Sequence, residues 1–428
     1  MVSSKNFKEL SFLVYGLGLT GQSVVNFFQK NKISKYQVWD DKNKKLYKNK
    51  RAINLDNTLK TVNYIILSPG VSLYKTKYKE KLSKYKKKII TDIDLIFLLK
   101  KFNKSIVVTG TNGKSTTCKI IEHVLKKNKF KTLLGGNIGT PILNLNLKKN
   151  YFLIIEASSF QLAHSKFIRP DYALLLNITN DHLDWHGNMK NYINSKFKIF
   201  KFQKKNQYSI INNKFKSTFK KKNLLGRLII PKYHNYHKLK LKIKNSYLNS
   251  NMNDENMPFV FELSKLLKIK INPFLKSLKS FRGLPHRYEI FLQKKNCTFI
   301  NDSKATSFQS AKYALKNTKN IFWILGGLPK KNDIFNFKNI KKNIIKSYII
   351  GENINFFEKQ LKKKIDYKVS KYLNTSIKHV LKDVKQFKNS KNQILFSPAA
   401  ASFDQFKNFE KRGEKFKKLS KFYARKFI

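Results

Sequence analysis

Two cysteines, Cys118 and Cys297, are all that 428 residues contain. They allow at most one disulfide and cannot make a four-cysteine zinc site, so a reducing compartment is expected. Glycine and proline are scarce at 16 and 9 residues, which excludes collagen-like and Pro/Gly-rich disordered classes. Neither a short-period repeat nor a coiled coil is visible. Long apolar runs are missing too: YFLII and YALLL are strand-sized, and no apolar stretch of signal-peptide length precedes Gly16, so a soluble, untargeted, cytoplasmic protein without membrane insertion is expected. Acidic residues number only 25 against 89 basic ones, for a formal charge of +64. That excess would normally suggest a nucleic-acid partner. Only seven of the basic residues are arginine, however, and arginine is the residue that reads guanine and phosphate bidentately. The lysines are spread through every segment, so we read them as a solvated, compositionally driven surface and expect no specific nucleic acid. Hydrophobic residues make up 41% of the chain, enough for a packed fold, and its length suggests two or three domains.

Strand and helix signals alternate along the sequence. Leu10 to Tyr15 is an apolar run entering GLGLTG (Gly16 to Gly21), and helical spacing follows in SVVNFFQK. Tyr36 to Asp41 reads as a second strand ending in two acids, and Tyr64 to Leu67 runs into SPG (Ser68 to Gly70). Ser105 to Thr109 feeds GTNGKST (Gly110 to Thr116), then an amphipathic helix, Thr117 to Lys127, and GGNIGTP (Gly135 to Pro141). Phe152 to Ile155 ends at Glu156, and Tyr172 to Leu176 ends in NITNDHLDWHG. Residues 201 to 250 carry little pattern beyond pieces such as Tyr208 to Ile211. A helix over Pro258 to Lys268 leads to SFRGLPHRYE (Ser280 to Glu289), a linker into a third unit with strands at Ile321 to Leu325 and Ser347 to Gly351. The fold class is therefore α/β with largely parallel sheets, and its chemistry-bearing residues fall at strand C-terminal ends, where such sheets place ligands.

GLGLTG is literally G-x-G-x-x-G after a strand, with Asp40 about twenty residues on, as a dinucleotide site requires. A glycine turn before a helix accepts any pyrophosphate, so UDP fits as well as NAD, and a purely structural tight turn is the alternative reading. Gly113-Lys114-Ser115 is more specific. At a strand-to-helix turn it supplies backbone N–H groups, a cation for the β and γ phosphates and a hydroxyl for Mg²⁺, although Val108 stands where the usual first glycine would be. ATP with Mg²⁺ needs hard oxygen ligands, and Glu156 ends an apolar strand where it could provide one. His182 and His186 are spaced like zinc ligands, but Asp184 replaces the expected glutamate, Gly187 breaks the helix and no third ligand is evident. In the last unit NDSKAT (Asn301 to Thr306) and GGLPK, ending at Lys330, place cations and hydroxyls after strands, which is also what ordinary polar loops look like.

Ten motifs in order resemble the Mur ligases of peptidoglycan synthesis over almost the whole chain: GLGLTG, SPG, TGTNGKST, GGNIGTP, EASSFQL, NDHLDWHG, GLPHRYE, INDSKAT, GGLPK and SPAAASFDQFKNFEKRG. The short glycine loop is that family's form. GLGLTG and SSFQL favour the branch that adds D-glutamate to UDP-N-acetylmuramoyl-L-alanine, and the D-N-P-R segment of the diamino-acid-adding branch is not found. The resemblance implies three domains: a Rossmann-like UDP-binding domain over 1–92, a central phosphate-loop ATP-binding domain with a parallel sheet over 93–283, and a Rossmann-like α/β domain over 284–428 that closes over the amino acid. It implies ATP, two Mg²⁺ ions and small-molecule substrates, and we expect a monomer. Folylpolyglutamate-type ligases normally lack the first domain. An NAD oxidoreductase would leave GTNGKST unused, and a nucleic-acid-binding ATPase would leave the metal and C-terminal motifs unexplained.

Carried over residue by residue, the resemblance implies that Leu19, Thr20, Asp40, Asp41 and Gly70 hold the UDP part, with Asn137 and His182 nearer the sugar-peptide end. Gly110, Thr111, Asn112, Gly113, Lys114, Ser115 and Thr116 would surround the ATP phosphates, and Arg287, Asp302 and Lys304 would add further ATP contacts. Asn253 and Asn256 would flank adenine, in a segment where Met252 replaces the family's histidine. Ser115, Glu156, His182 and a carbamylated Lys196 would hold the metals. Thr306, Lys330, Ser402, Phe403 and Phe409 would shape the D-glutamate pocket, and Lys114, Lys196, His182 and Lys330 would be catalytic.

Overall fold

The structure, a computed structural model, describes residues 4–43, 45–73, 76–249, 253–330, 333–387 and 390–427. Met252 lies outside the described residues. Among the described residues three sheets organise the chain. The first contains β1 (Phe12–Tyr15), β2 (Tyr36–Trp39), β3 (Tyr64–Leu67) and β4 (Ile89–Ile90) in the order β2-β1-β3-β4, all parallel. Six parallel strands form the second: β5 (Lys104–Thr109), β6 (Thr132–Gly136), β7 (Phe152–Glu156), β8 (Tyr172–Leu175), β9 (Tyr208–Ile211) and β10 (Arg227–Ile229), ordered β10-β9-β8-β5-β7-β6. The third comprises β11 (Glu289–Lys294), β12 (Cys297–Asn301), β13 (Ile321–Gly326), β14 (Ile344–Ile350), β15 (Tyr367–Lys371) and β16 (Asn392–Phe396), ordered β11-β12-β16-β13-β14-β15. Only the β11–β12 pair in this sheet is antiparallel.

The strands are unbroken apolar runs because helices cover both faces of parallel sheets. All four residues of β1 and of β8 are buried, as are all six of β13. Each buried branched aliphatic side chain contributes about 1.5–3 kcal/mol, so a few such strands dominate the stability. In the first two sheets the strand that precedes a glycine loop, β1 or β5, lies between neighbours on which the chain runs off in opposite directions. At such a switch point the flanking loops diverge and leave a crevice at the carboxyl ends.

The chain divides into two compact units, 1–245 with 253–281, and 246–252 with 282–428. The first two sheets fall in one unit because a single core runs through both. It joins Phe12, Val14 and Ile66 of the first sheet to Val107, Leu153 and Ile155 of the second. Ile93, Ile96 and Leu98 of the helix Asp92–Leu99 belong to the same core.

Local differences from the sequence reading have physical causes. The helix after the phosphate loop is Lys114–Lys127, not Thr117–Lys127, because Gly113 in the left-handed region ends the loop and lets the polar residues form the first turn. Met257–Leu266 replaces the expected 258–268 helix, since Leu267 already has non-helical backbone. β14 begins at Ile344 rather than Ser347 and stops at Ile350. Residues 201–249, which carry little sequence pattern, contain β9, β10 and the helices Lys216–Lys221 and Tyr233–Lys240.

Candidate active site

The phosphate loop is held by its neighbours. Thr111 N–H donates to the Asn177 carbonyl at 2.9 Å and Asn112 N–H to Asn177 Oδ1 at 2.9 Å, while Thr111 Oγ1 meets the Tyr192 hydroxyl at 2.9 Å. Gly113 has φ +80°, and a Cβ there would lie 2.0 Å from Asn256 Oδ1. Only glycine permits both the turn and that approach. The same contact brings Asn256 against the loop, and both Asn253 and Asn256 are buried.

Two lysines converge on one carbonyl. Lys114 Nζ donates to Gly110 O at 2.9 Å and to Thr111 O at 2.8 Å, and Lys196 Nζ donates to Gly110 O at 2.7 Å. Lys196 is 1% exposed, with its ammonium 4.6 Å from the Tyr192 ring centroid. Burial, and then the nearby Lys114 charge, hold Lys196 well below the usual lysine range despite the opposing pull of Asp181.

Glu156 ends β7 in register beside Val108 of β5, which places its carboxylate next to the strand that enters the loop. Asn137 Nδ2 donates to its Oε1 at 2.8 Å. Oε2 is buried and has no hydrogen-bond partner among the described residues. An orphaned buried carboxylate oxygen costs free energy unless something supplies positive charge. With the buried Ser115 hydroxyl in the first turn of the adjacent helix, this hard-oxygen donor set fits Mg²⁺. Among the described residues no three His, Cys, Asp or Glu form a preassembled metal cluster.

His182 sits in the left-handed region and packs edge-on to Phe160, with ring centroids 4.7 Å apart. His186 Nε2 is engaged with Ser159 Oγ at 3.0 Å. Burial, then the charges of His182 and Lys196, lower His186 to about 4, so it is neutral at physiological pH.

In the first sheet the two acids are hydrogen-bonded to neighbouring groups of the chain. Asp40 Oδ2 accepts from Leu17 N–H at 2.6 Å, and Oδ1 from Lys42 and Asn43 N–H at 2.8 and 2.7 Å. Burial pushes this carboxyl up, but the three N–H groups and Arg51 outweigh it and hold Asp40 below its ordinary value. Asp41 Oδ1 accepts from Tyr15 Oη at 2.9 Å and Trp39 Nε1 at 3.0 Å. Leu19 is 82% exposed at the start of the helix Leu19–Lys30, Thr20 follows it, and Gly70 has open space around it.

The second unit gathers its candidates at the carboxyl ends of β12, β13 and β16. Asp302 N–H donates to Phe396 O and Gly326 N–H to Pro398 O, at 2.8 and 2.9 Å, and Leu328 and Ala401 exchange both backbone bonds at 2.9 Å. Arg412, missed by sequence reasoning, locks these loops: it is 1% exposed, and Nη2 donates at 2.9 Å to the carbonyls of both Ser303 and Ala400. Lys304 Nζ lies 3.8 Å from the Phe409 ring centroid. Ser402 is buried and Phe403 is 71% exposed; Arg287 and Thr306 are half-buried and Lys330 is exposed.

Asp302 accepts from Ser397 Oγ at 2.7 Å and Tyr288 N–H at 3.1 Å. Burial pushes it up to about 7, against those two bonds and Arg287. The folded chain therefore keeps a proton that the unfolded chain releases near pH 4. The stability this contributes is full below about pH 4 and is lost as pH rises toward 7. We predict that the urea midpoint of Asp302→Asn changes less between pH 5 and pH 7.5 than that of the unmodified chain. An equal dependence in both would show that Asp302 is already ionised at pH 5.

The family model described as the Mur ligase middle domain matches residues 108–266, and the model described as the MurD-like N-terminal domain of Mur ligases matches residues 10–90. The chain is 36% identical to the UDP-N-acetylmuramoylalanine–D-glutamate ligase of Rickettsia felis, over 95% of this chain and 96% of that protein. It is 34% identical to the ligase of the same name from Francisella tularensis subsp. novicida, over 96% of each. The chain belongs to the Mur ligase family. Among solved structures, the MurF ligase of Thermotoga maritima in complex with ADP superposes with a TM-score of 0.56 at 17% identity, covering 100% of this chain and 98% of that one. The MurC ligase of the same organism gives 0.55 at 17%, covering 97% and 100%. These two show the shared Mur ligase fold. Among the described residues no helix is long and apolar enough to cross a membrane.

Proposed function

We propose that this Mur ligase joins D-glutamate to UDP-N-acetylmuramoyl-L-alanine with ATP, through an acyl phosphate, in peptidoglycan precursor synthesis. In this reading it acts as a cytoplasmic monomer with two Mg²⁺ ions. The observation that carries it is the unpartnered, buried Glu156 Oε2 in register beside the strand that feeds the phosphate loop. A carboxylate oxygen of the alanyl group attacks the γ-phosphorus, the bond to the β–γ bridging oxygen breaks, and ADP leaves. The neutral amine of D-glutamate then adds to the acyl carbon, and the tetrahedral intermediate expels phosphate while the amine proton passes to solvent.

Lys114 and the loop N–H groups hold the β and γ phosphates and balance the charge of triphosphate and carboxylate brought together. Ser115 and Glu156 would hold one Mg²⁺, and His182 with Lys196 the other; these ions supply charge neutralisation when bound. Burial favours the free amine of Lys196 over its ammonium, and that amine would add to CO₂, forming an N–C bond and losing a proton, to give the carbamate that a metal ligand requires. Arg287, Asp302 and Lys304 would serve the nucleotide, as would Asn253 and Asn256. Thr306, Lys330, Ser402, Phe403 and Phe409 would serve D-glutamate, with Leu19, Thr20, Asp40, Asp41, Gly70 and Asn137 on the UDP substrate.

The test is phosphate release from ATP and Mg²⁺ with UDP-N-acetylmuramoyl-L-alanine, with D-glutamate, L-glutamate, L-alanine or meso-diaminopimelate as acceptor. Release that requires D-glutamate is expected. Selectivity for another acceptor would move the specificity, and no release with any pair would remove the ligase reading.

A further inference from the structure

Asp92 is the first residue of the helix Asp92–Leu99 and is 2% exposed. Its neighbour Asp94 is used up locally, accepting from Thr91 N–H, Ser165 Oγ and the N–H groups of Lys166 and Phe167 at 2.6–3.0 Å. Asp92 instead faces the side chain of Gln161, whose Nε2 lies 3.2 Å from each of its carboxylate oxygens. Burial raises Asp92 to about 6, against the Gln161 bond, so at neutral pH it is an acceptor only.

The Gln161 amide has one workable orientation. Its Oε1 accepts from Ser158 N–H at 3.1 Å and Ser158 Oγ at 3.0 Å. Flipping it would oppose N–H to N–H at Ser158 and oxygen to carboxylate at Asp92. Gln161 is itself 3% exposed, so water cannot replace either partner.

Between Glu156 and Gln161 runs the turn that leads from β7 into the helix Ser159–His164. The turn is pinned at its start by Ala157 N–H to Val108 O at 3.0 Å and Thr109 Oγ1 to Ala157 O at 2.9 Å. It carries Phe160, the ring against His182, and Ser159, the partner of His186. A desolvated carboxylate is expensive to bury, and an apolar residue would fill the same volume more cheaply. Besides accepting from the N–H groups of Ile93 and of Asp92 itself at the helix start, a carboxylate here does what an apolar residue cannot: it fixes the polarity of that amide and so the far end of the turn.

We infer that Asp92 is a positioning residue of the ligase reaction, acting through the Gln161 amide to set the turn that carries Glu156 and the Phe160 seat of His182. This rests on the ligase reading above. Asp92 touches neither nucleotide nor metal, so its loss should lower kcat and raise the Mg²⁺ half-saturation while leaving the KM for ATP unchanged.

The pair allows a swap of donor and acceptor. In Asp92→Asn an N–H group meets Gln161 Nε2 or the amide must turn away. In Gln161→Glu two carboxylates face each other. Combining Asp92→Asn with Gln161→Glu in one chain reverses the polarity, because the new asparagine donates to one oxygen of the new glutamate while Ser158 still donates to the other. We expect each single variant to lose roughly 10- to 100-fold in kcat, with a higher Mg²⁺ half-saturation, as misplacement of catalytic groups by about an ångström produces. The double variant should recover to within roughly threefold of the unmodified chain, and the urea midpoints should be non-additive in the same sense.

Unchanged kcat and Mg²⁺ dependence in Asp92→Asn would overturn the inference, as would a double variant whose loss is the product of the two single losses. Lowered midpoints with kcat intact would reduce the pair to a structural brace and also overturn it. The unmodified chain, assayed alongside, separates the two levels: if it shows no D-glutamate-dependent phosphate release, the ligase reading itself fails.

Discussion

Lys114→Ala should lower ATP-dependent ligation by about three orders of magnitude while leaving the fold intact. The side chain donates to the carbonyls of Gly110 and Thr111, at 2.9 and 2.8 Å, so its ammonium lies over the loop that receives the phosphates. Removing one preorganised charge aimed at the transition state costs about 10²–10³ in rate. Here the lost group also offsets the repulsion between triphosphate and substrate carboxylate, which places the expectation at the upper end. Stability should change little. The helix Lys114–Lys127 keeps its buried face of Cys118, Ile120, Ile121, Val124 and Leu125, and alanine favours helix at least as well as lysine. Phosphate release and a thermal melt on one preparation decide the matter: full activity in the variant would remove the phosphate-loop assignment, and a collapsed melt would show that Lys114 braces the loop.

How much of this was legible in the sequence depends on the range of the physics. Gly113-Lys114-Ser115 and the glycine turn at Gly16 are local: loop, cation and helix start lie within a few residues, and strand and helix periods surround them. The α/β class was readable for the same reason. What could not be read involves partners far apart in the chain. Asp92 and Gln161 are 69 residues apart, and Arg412 reaches Ser303 across 109. No spacing rule connects such pairs, although Arg412 is one of only seven arginines and it is the buried one that ties two loops together. Asp40 adds a case of its own, since its place at a strand end does not reveal that three backbone N–H groups, one of them from Leu17 in the glycine turn, engage it. Lysine abundance hid the elements between residues 201 and 249, because lysine stems can cover a helix face that in an ordinary composition would show an apolar stripe.

Lys196 offers a sharper separation of stability from function. Its amine is buried, makes no ion pair among the described residues, and is held well below the usual lysine range by desolvation and by Lys114. In the unfolded chain the same group keeps the ordinary lysine value, so folding favours release of its proton and the fold loses stability as pH falls below that value. Lys196→Met removes that cost while keeping a similar volume over the Tyr192 ring. The Gly110 carbonyl is not orphaned by the change, because Lys114 still donates to it at 2.9 Å. The variant is therefore expected to melt at or above the temperature of the unmodified chain, and its stability should fall less as pH drops below the ordinary lysine range. Ligation should nevertheless fall by about three orders of magnitude if the amine carries the carbamate that completes a metal site. In the unmodified chain, ¹³C-bicarbonate should give a carbamate resonance that Lys196→Met lacks, and added bicarbonate should not restore the variant. A methionine variant that is both stable and fully active would remove Lys196 from the reaction. One that is inactive but shows the same carbamate resonance would place the carbamate on another lysine.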